Sequence, residues 1–224
     1  MRMEKVKKEH FDFLKKIGFS PTNLGDFSLK VYEKGEYVFL QGDEIRNIAV
    51  IYSGKVHIEI SAKTGKTLLL AIYSSSALLG DIEFFTDTLA TSCAKAVTSV
   101  SLLSVRFDRL RDENTQILSI LGHSLAHKLA RSVQNNAMNI LNEADARIAS
   151  YICLTAENGC FQANLTKLAE ILGISYRHLS RTLQKLCSQE VLEKDRQVFF
   201  IKDPEKLQAL AQDHYSSSDI LLRK

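Results

Sequence analysis

Residues 164–187 read Asn164-Leu-Thr-Lys-Leu-Ala-Glu-Ile-Leu-Gly173-Ile-Ser175-Tyr-Arg-His-Leu-Ser-Arg-Thr-Leu-Gln-Lys-Leu-Cys187. Asn164 is placed to cap a first helix whose inward positions are Leu165, Leu168, Ala169 and Leu172. Gly173 stands where the chain needs a left-handed turn residue. Ser175 then caps a second helix, with Leu179, Leu183 and Leu186 inward at spacings of four and three. Two short helices joined by a tight glycine turn, with a small Ala169 at their crossing, predict a helix-turn-helix.

The outward face of the second helix carries Tyr176, Arg177, His178, Ser180, Arg181 and Lys185, and no acid occurs from Gly173 to Gln189. An ordinary solvated face is usually mixed in sign, whereas this one is uniformly basic. Arg offers a planar fork matched to the guanine edge, while Tyr, Ser and His can bond phosphates or bases. Downstream, Val191-Leu192-Glu193 and Val198-Phe199-Phe200-Ile201 flank Lys194-Asp195-Arg196-Gln197. That pattern predicts a β-hairpin wing with Lys194 and Arg196 at its tip, available to phosphates. The expected DNA-binding set is Ser175, Tyr176, Arg177, His178, Ser180, Arg181, Lys185, Lys194 and Arg196.

Upstream the texture differs. Residues 4–17 read as a short helix with an apolar stripe of Val6, Phe13, Leu14 and Ile17. Between Leu29 and Val105, β-rich runs recur at 31–32, 37–40, 48–52, 56–60, 68–72 and 100–103. Lys34-Gly35, Gly42-Asp43, Ser53-Gly54 and Thr64-Gly65 punctuate them. Many short strands between glycine turns predict a β-sandwich or β-roll. After Phe107 the period becomes helical. Ile117, Leu118, Leu121, Leu125, Leu129, Val133, Ala137 and Ile140 form a narrow stripe flanked by Ser124, His127, Lys128, Arg131, Gln134, Asn135 and Asn136. So long a helix with one seam reads as half of a helix pair. A further helix covers 145–156, and a hinge falls at about 140–144.

The 224 residues are 45% hydrophobic and 25% charged, which excludes collagen-like, low-complexity and wholly disordered classes. The 29 basic and 26 acidic residues leave +3. An equal excess lies between Phe161 and Lys202. No apolar run is long enough to span a membrane, and Met1 to His10 is too charged for a signal peptide. A cytoplasmic protein is therefore expected, without membrane contact. Its four scattered cysteines, Cys93, Cys153, Cys160 and Cys187, are expected to be reduced and mostly buried.

The chain resembles the CRP/FNR family of bacterial transcription regulators from about Leu29 to Leu210. The resemblance rests on Gly35-x6-Gly42-Asp43, Ile51-Tyr52-Ser53-Gly54-Lys55-Val56, Leu79-Gly80-Asp81-Ile82-Glu83 and Leu168-Ala169-x-x-Leu172-Gly173-Ile174-Ser175-x5-Arg181. Tyr176-Arg177-His178-Leu179 further resembles the YeiL-like branch. The resemblance implies an α+β chain with three parts: an N-terminal cyclic-nucleotide-binding-like β-roll (1–108), a long dimerisation helix (109–142) and a C-terminal winged helix-turn-helix (143–224). It also implies a homodimer on double-stranded DNA, paired along Leu118, Leu121, Leu125, Leu129, Val133 and Ala137, with RNA polymerase as a further partner. Tyr176, Arg177 and Arg181 then fall at base-reading positions, and Ser175, His178 and Ser180 nearer the phosphates. The half-sites of the operator would form a near-palindrome one helical turn apart.

The same resemblance places an effector pocket at Gly80, Asp81, Thr91, Ser92 and Ser132. Asp81 keeps an acid for the ribose hydroxyl. The guanidinium that holds the phosphate in cyclic-nucleotide-binding members is replaced by Thr91, and one of two long-helix hydroxyls by Val133. A phosphodiester without that fork loses its charge-assisted contact, and Lys95 would not reproduce it. Binding of cAMP in the usual manner is therefore not expected, and the effector, if one exists, stays unidentified. An iron–sulfur cluster lacks cysteines before residue 93, and His57, His123 or His127 would be lone haem ligands. A cupin-like enzyme would need more than the single His57. No metal motif and no catalytic constellation appear, so no enzyme is expected. A regulator controlled by protein contacts or redox state rather than a ligand stays open as the alternative.

Overall fold

Apolar runs bounded by glycine turns become short strands that close on one another, and the structure is a computed structural model describing residues 1–19, 26–111, 115–141 and 144–211. In chain order it contains β1 (Arg2–Glu4), α1 (Lys8–Lys16), β2 (Phe27–Tyr32), β3 (Tyr37–Phe39), β4 (Asn47–Ser53), β5 (Val56–Ser61) and β6 (Thr67–Tyr73). There follow β7 (Leu78–Leu79), α2 (Asp81–Thr86), β8 (Cys93–Ala96), β9 (Val100–Arg106), α3 (Phe107–Arg111) and the long α4 (Thr115–Leu141). The chain continues with α5 (Ala144–Thr155), β10 (Cys160–Phe161), α6 (Leu165–Ile171), α7 (Tyr176–Ser188), β11 (Leu192–Asp195), β12 (Val198–Ile201) and α8 (Pro204–Ala211). Two compact units result. One is built from Met1–Ile58 and Ile72–Ser132, the other, among the described residues, from Glu59–Ala71 and 133–211.

The first unit holds the β-roll apart from 59–71, which include the end of β5 and most of β6. One sheet runs β1-β2-β9-β4-β7 and a second β3-β8-β5-β6. The apolar run Ile48-Ala49-Val50-Ile51 is buried throughout, as a strand covered on both faces must be. Its neighbour β9 pairs antiparallel with both β4 and β2, so strands far apart in sequence close the roll. Leu14, Ile17, Ile48, Val50, Leu78, Leu103, Ile117 and Leu121 belong to one core. The second unit wraps a smaller core of Ile148, Ile152, Phe161, Leu168, Leu179, Leu183, Leu186 and Phe199, with α5 packed against α8.

Three expectations change. The N-terminal helix starts at Lys8 rather than residue 4, because Arg2–Glu4 pairs with Leu29–Val31 as an edge strand. Leu121 is not part of an outward seam, since it is fully buried in the β-roll core beside Ile117. Leu118, Leu129 and Val133 remain 41%, 68% and 61% exposed, Leu125 is half-buried, and the side chain of Ala137 lies outside the described residues. Of the cysteines only Cys93 is buried; Cys153, Cys160 and Cys187 are half-buried, and all four are free thiols.

Candidate nucleic-acid interface

The helix-turn-helix forms from the signals that its sequence carries. Asn164 Oδ1 accepts from the Lys167 N–H at 3.1 Å, and Ser175 Oγ accepts from the His178 N–H at 3.1 Å, so each cap satisfies one orphan donor. Between them Gly173 takes φ +64°, a conformation that glycine adopts without strain. Arg147 of α5 donates to the Leu172 carbonyl at 2.9 Å, closing the far end of α6. Leu179, Leu183 and Leu186 bury one stripe of α7.

The remaining faces of α7 are not equivalent. Tyr176, Arg177 and Arg181 are exposed, Ser180 is half-buried, and no hydrogen bond or ion pair engages Arg177 or Arg181 among the described residues. His178 and Lys185 sit on a different stripe, shared with Thr182, and all three converge on Asp145 in the first turn of α5. Thr182 Oγ1 donates to Asp145 Oδ1 at 2.6 Å, Lys185 Nζ donates to Oδ2 at 3.0 Å, and His178 Nε2 lies 3.4 Å from Oδ1. Burial pulls the Asp145 carboxyl upward. The donors from Thr182, Lys185 and His178, with the Lys185 charge, outweigh it and hold the group below the usual carboxylate range. The acid missing from α7 is thus supplied across the fold. Sequence reading missed it because Asp145 precedes its partners by 33 to 40 residues.

At the wing, β11 and β12 pair from Leu192↔Ile201 to Asp195↔Val198, leaving Arg196 and Gln197 as the turn. Arg196 takes φ +53°, and both Arg196 and Lys194 are exposed. Lys194 Nζ stands 5.7 Å from the centroid of the Phe199 ring. Burial pushes the neighbouring Cys187 thiol up, against the lowering charge of Lys194.

In the β-roll, the expected effector residues part company. Gly80 takes φ +86° to start α2, and a Cβ there would stand 2.3 Å from the Asn47 carbonyl oxygen. Asp81 is buried to 1% and meets α4. Lys128 Nζ lies 2.6 and 2.8 Å from its two oxygens, and Ser124 Oγ donates to Oδ2 at 2.9 Å. Lys128, itself 9% exposed, also donates to the Leu78 carbonyl at 2.8 Å and stands 5.0 Å from the Tyr73 ring centroid. Ser124 and Lys128, expected on polar flanks, therefore point inward; their one-turn spacing was the available signal. Thr91 and Ser132 are exposed and Ser92 is half-buried. His57 is buried, while His123 and His127 are exposed on α4. Among the described residues no three His, Cys, Asp or Glu side chains gather as metal ligands, and no helix is long and apolar enough to cross a membrane.

Residues 29–114 match the cyclic nucleotide-binding domain and residues 146–210 the Crp-like helix-turn-helix domain. Regulatory protein YeiL of Escherichia coli O157:H7 is 24% identical over 183 residues, covering 79% of this chain and 82% of its own. The CRP-like cAMP-activated global transcriptional regulator of Mycobacterium tuberculosis H37Rv is 27% identical over 189 residues, covering 79% and 84%. Among solved structures, a CRP-family transcriptional regulator from Thermus thermophilus aligns with TM-score 0.70 at 17% identity, over 84% of this chain and all of the other. The fold is thus shared at low identity.

Proposed function

Because the chain belongs to the CRP/FNR family of DNA-binding transcription regulators, we propose that it acts as a cytoplasmic homodimer reading a near-palindromic operator through α7. The family is one of regulators and not of enzymes. The observation that carries the reading is the exposed trio Tyr176, Arg177 and Arg181 on a helix whose opposite stripe is buried. Guanidinium groups without an internal partner are free to make bidentate contacts with base edges. Lys194 and Arg196 on the wing hold phosphates, and RNA polymerase is the partner at the promoter. Pairing of two copies uses the exposed apolar residues of α4.

The β-roll does not take cAMP as its cAMP-activated relatives do. Asp81, the acid at the position for the ribose hydroxyl, is committed to Lys128 and Ser124, and Thr91 brings no charge to a phosphate. The same internal pairing favours a second reading, in which the β-roll is a ligand-independent scaffold.

Selection of duplexes from a random pool, with and without cAMP, tests the proposal. The wild-type protein enriches one near-palindrome in both arms, its half-sites about 10–10.5 base pairs apart. Arg181→Ala loses about 1–3 kcal/mol on that site and relaxes one base pair per half-site. The absence of any enriched sequence, or enrichment that requires cAMP, refutes it.

A further inference from the structure

The cations of α7 are not offered to solvent alike. His178, Thr182 and Lys185 are spaced i, i+4 and i+7, which sets them on one stripe beside the buried leucines. Arg177 and Arg181 occupy the next stripe. Asp145 faces only the first. The short bond from Thr182, whose side chain is buried, fixes the carboxylate, so Lys185 meets an acceptor that is already in place. An isolated surface ion pair contributes little. A carboxylate anchored by a buried hydroxyl and shared by two further donors is preorganised, and its charge lies 3.0 Å from the Lys185 ammonium. A DNA phosphate that sought Lys185 would have to displace it.

We propose that Asp145 is a specificity-determining positioning residue, which withholds Lys185 and His178 from DNA phosphates. It does so by holding them in a three-donor cluster with Thr182. The proposal rests on the reading of α7 as the recognition helix. Phosphate contacts carry no sequence information, so every cation withheld from them lowers attraction to all duplexes alike. Arg177 and Arg181, which no acid among the described residues holds, then dominate the choice of sequence. The expectation that His178 and Lys185 contact DNA becomes one of conditional contact, gated by the acid behind them.

The test compares the wild-type protein with Asp145→Asn, Lys185→Met and the double variant, on the selected operator and on an unrelated duplex across salt concentrations. Asn keeps an acceptor for Thr182 while removing the charge. Asp145→Asn steepens the salt slope on the unrelated duplex by about 0.9 per phosphate newly neutralised. One new contact per protomer thus raises the ratio of affinities at 50 and 200 mM salt roughly three- to fourfold per protomer. The ratio of operator to unrelated binding falls. Lys185→Met flattens the slope more in the Asp145→Asn background than in the wild-type background. An equal effect in both backgrounds overturns the proposal, because Lys185 then contacts phosphate whatever Asp145 does. Should Asp145→Asn fail to fold by circular dichroism, Lys185→Met alone decides. A flattening of the full ~0.9 per protomer overturns the proposal, and a clearly smaller one supports it. Arg181→Ala, measured alongside, separates the two ideas: if it leaves the operator preference intact, the reading of α7 itself fails and this proposal falls with it.

Discussion

Glu83 sits two residues beyond Asp81 on a short helix, and both carboxylates are buried. Among the described residues only Asp81 has a cation in direct contact. For Glu83, burial is the largest influence and raises its affinity for a proton. Its own backbone N–H opposes that, the Asp81 charge adds to it, and Lys128 opposes it, leaving the group above the usual carboxylate range. An acid that binds its proton more tightly when folded than when unfolded costs stability when it ionises. The cost is absent below the unfolded value of about 4.5, grows as pH rises through the raised folded value, and is constant above it. Glu83→Gln removes the ionisation. The variant therefore gains stability over the wild-type protein at pH 7, and the gain shrinks on acidification. Thermal melts from pH 4 to 8 that show a pH-independent difference would contradict this. Nothing in the local sequence betrays the effect: Gly80-Asp81-Ile82-Glu83 reads as an ordinary helix start, and only the packing around it buries both acids.

Helix α4 is fastened to the β-roll by Lys128 and Ser124 on Asp81, a buried ion pair with a third hydrogen bond. Removing one partner of such a pair strands the other charge in a poorly solvated site and costs about 3–5 kcal/mol, whereas removing both leaves no lone charge. Urea unfolding of Lys128→Met and Asp81→Asn should each show a loss of that order. The double variant should lose much less than the sum; additive losses would mean that the two groups do not interact. The elements of the fold differ in how readable they are. The 27 residues of α4 announce themselves by a repeat over many turns, and the caps Asn164 and Ser175 by position. Strands β7 and β10 have two residues each, too few for any period to register. Strand β8, Cys-Ala-Lys-Ala, carries no β-branched residue and is a strand because β3 offers it a partner. The contact of Lys128 with Asp81, like that of Lys185 with Asp145, joins residues 40 or more apart, and one sequence holds no record of such pairing.

One apolar stripe along α4 is divided between two duties. Ile117 and Leu121 complete the β-roll core, and the turns that follow leave Leu129 and Val133 more than half exposed on the same helix. The periodicity that predicts a seam is real, but a period of three or four marks an apolar face without saying which chain covers it. The energy at stake is large enough to decide the assembly. Full burial of a leucine or valine side chain is worth about 1.5–3 kcal/mol, and a two-fold pairing of α4 would bury each residue twice. Leu118 and Leu125 extend the same surface toward the helix start. Leu129→Glu should place a charge at the centre of that surface without touching the β-roll core, since Leu129 is 68% exposed in the single chain. The variant should keep its fold and melting cooperativity, sediment as a monomer, and lose operator binding, because a near-palindrome holds only a paired protein. Light scattering that finds an intact dimer would remove α4 from the interface. A monomer that still binds the operator at full strength would show that one winged helix suffices, and the symmetry expected of the site would go with it.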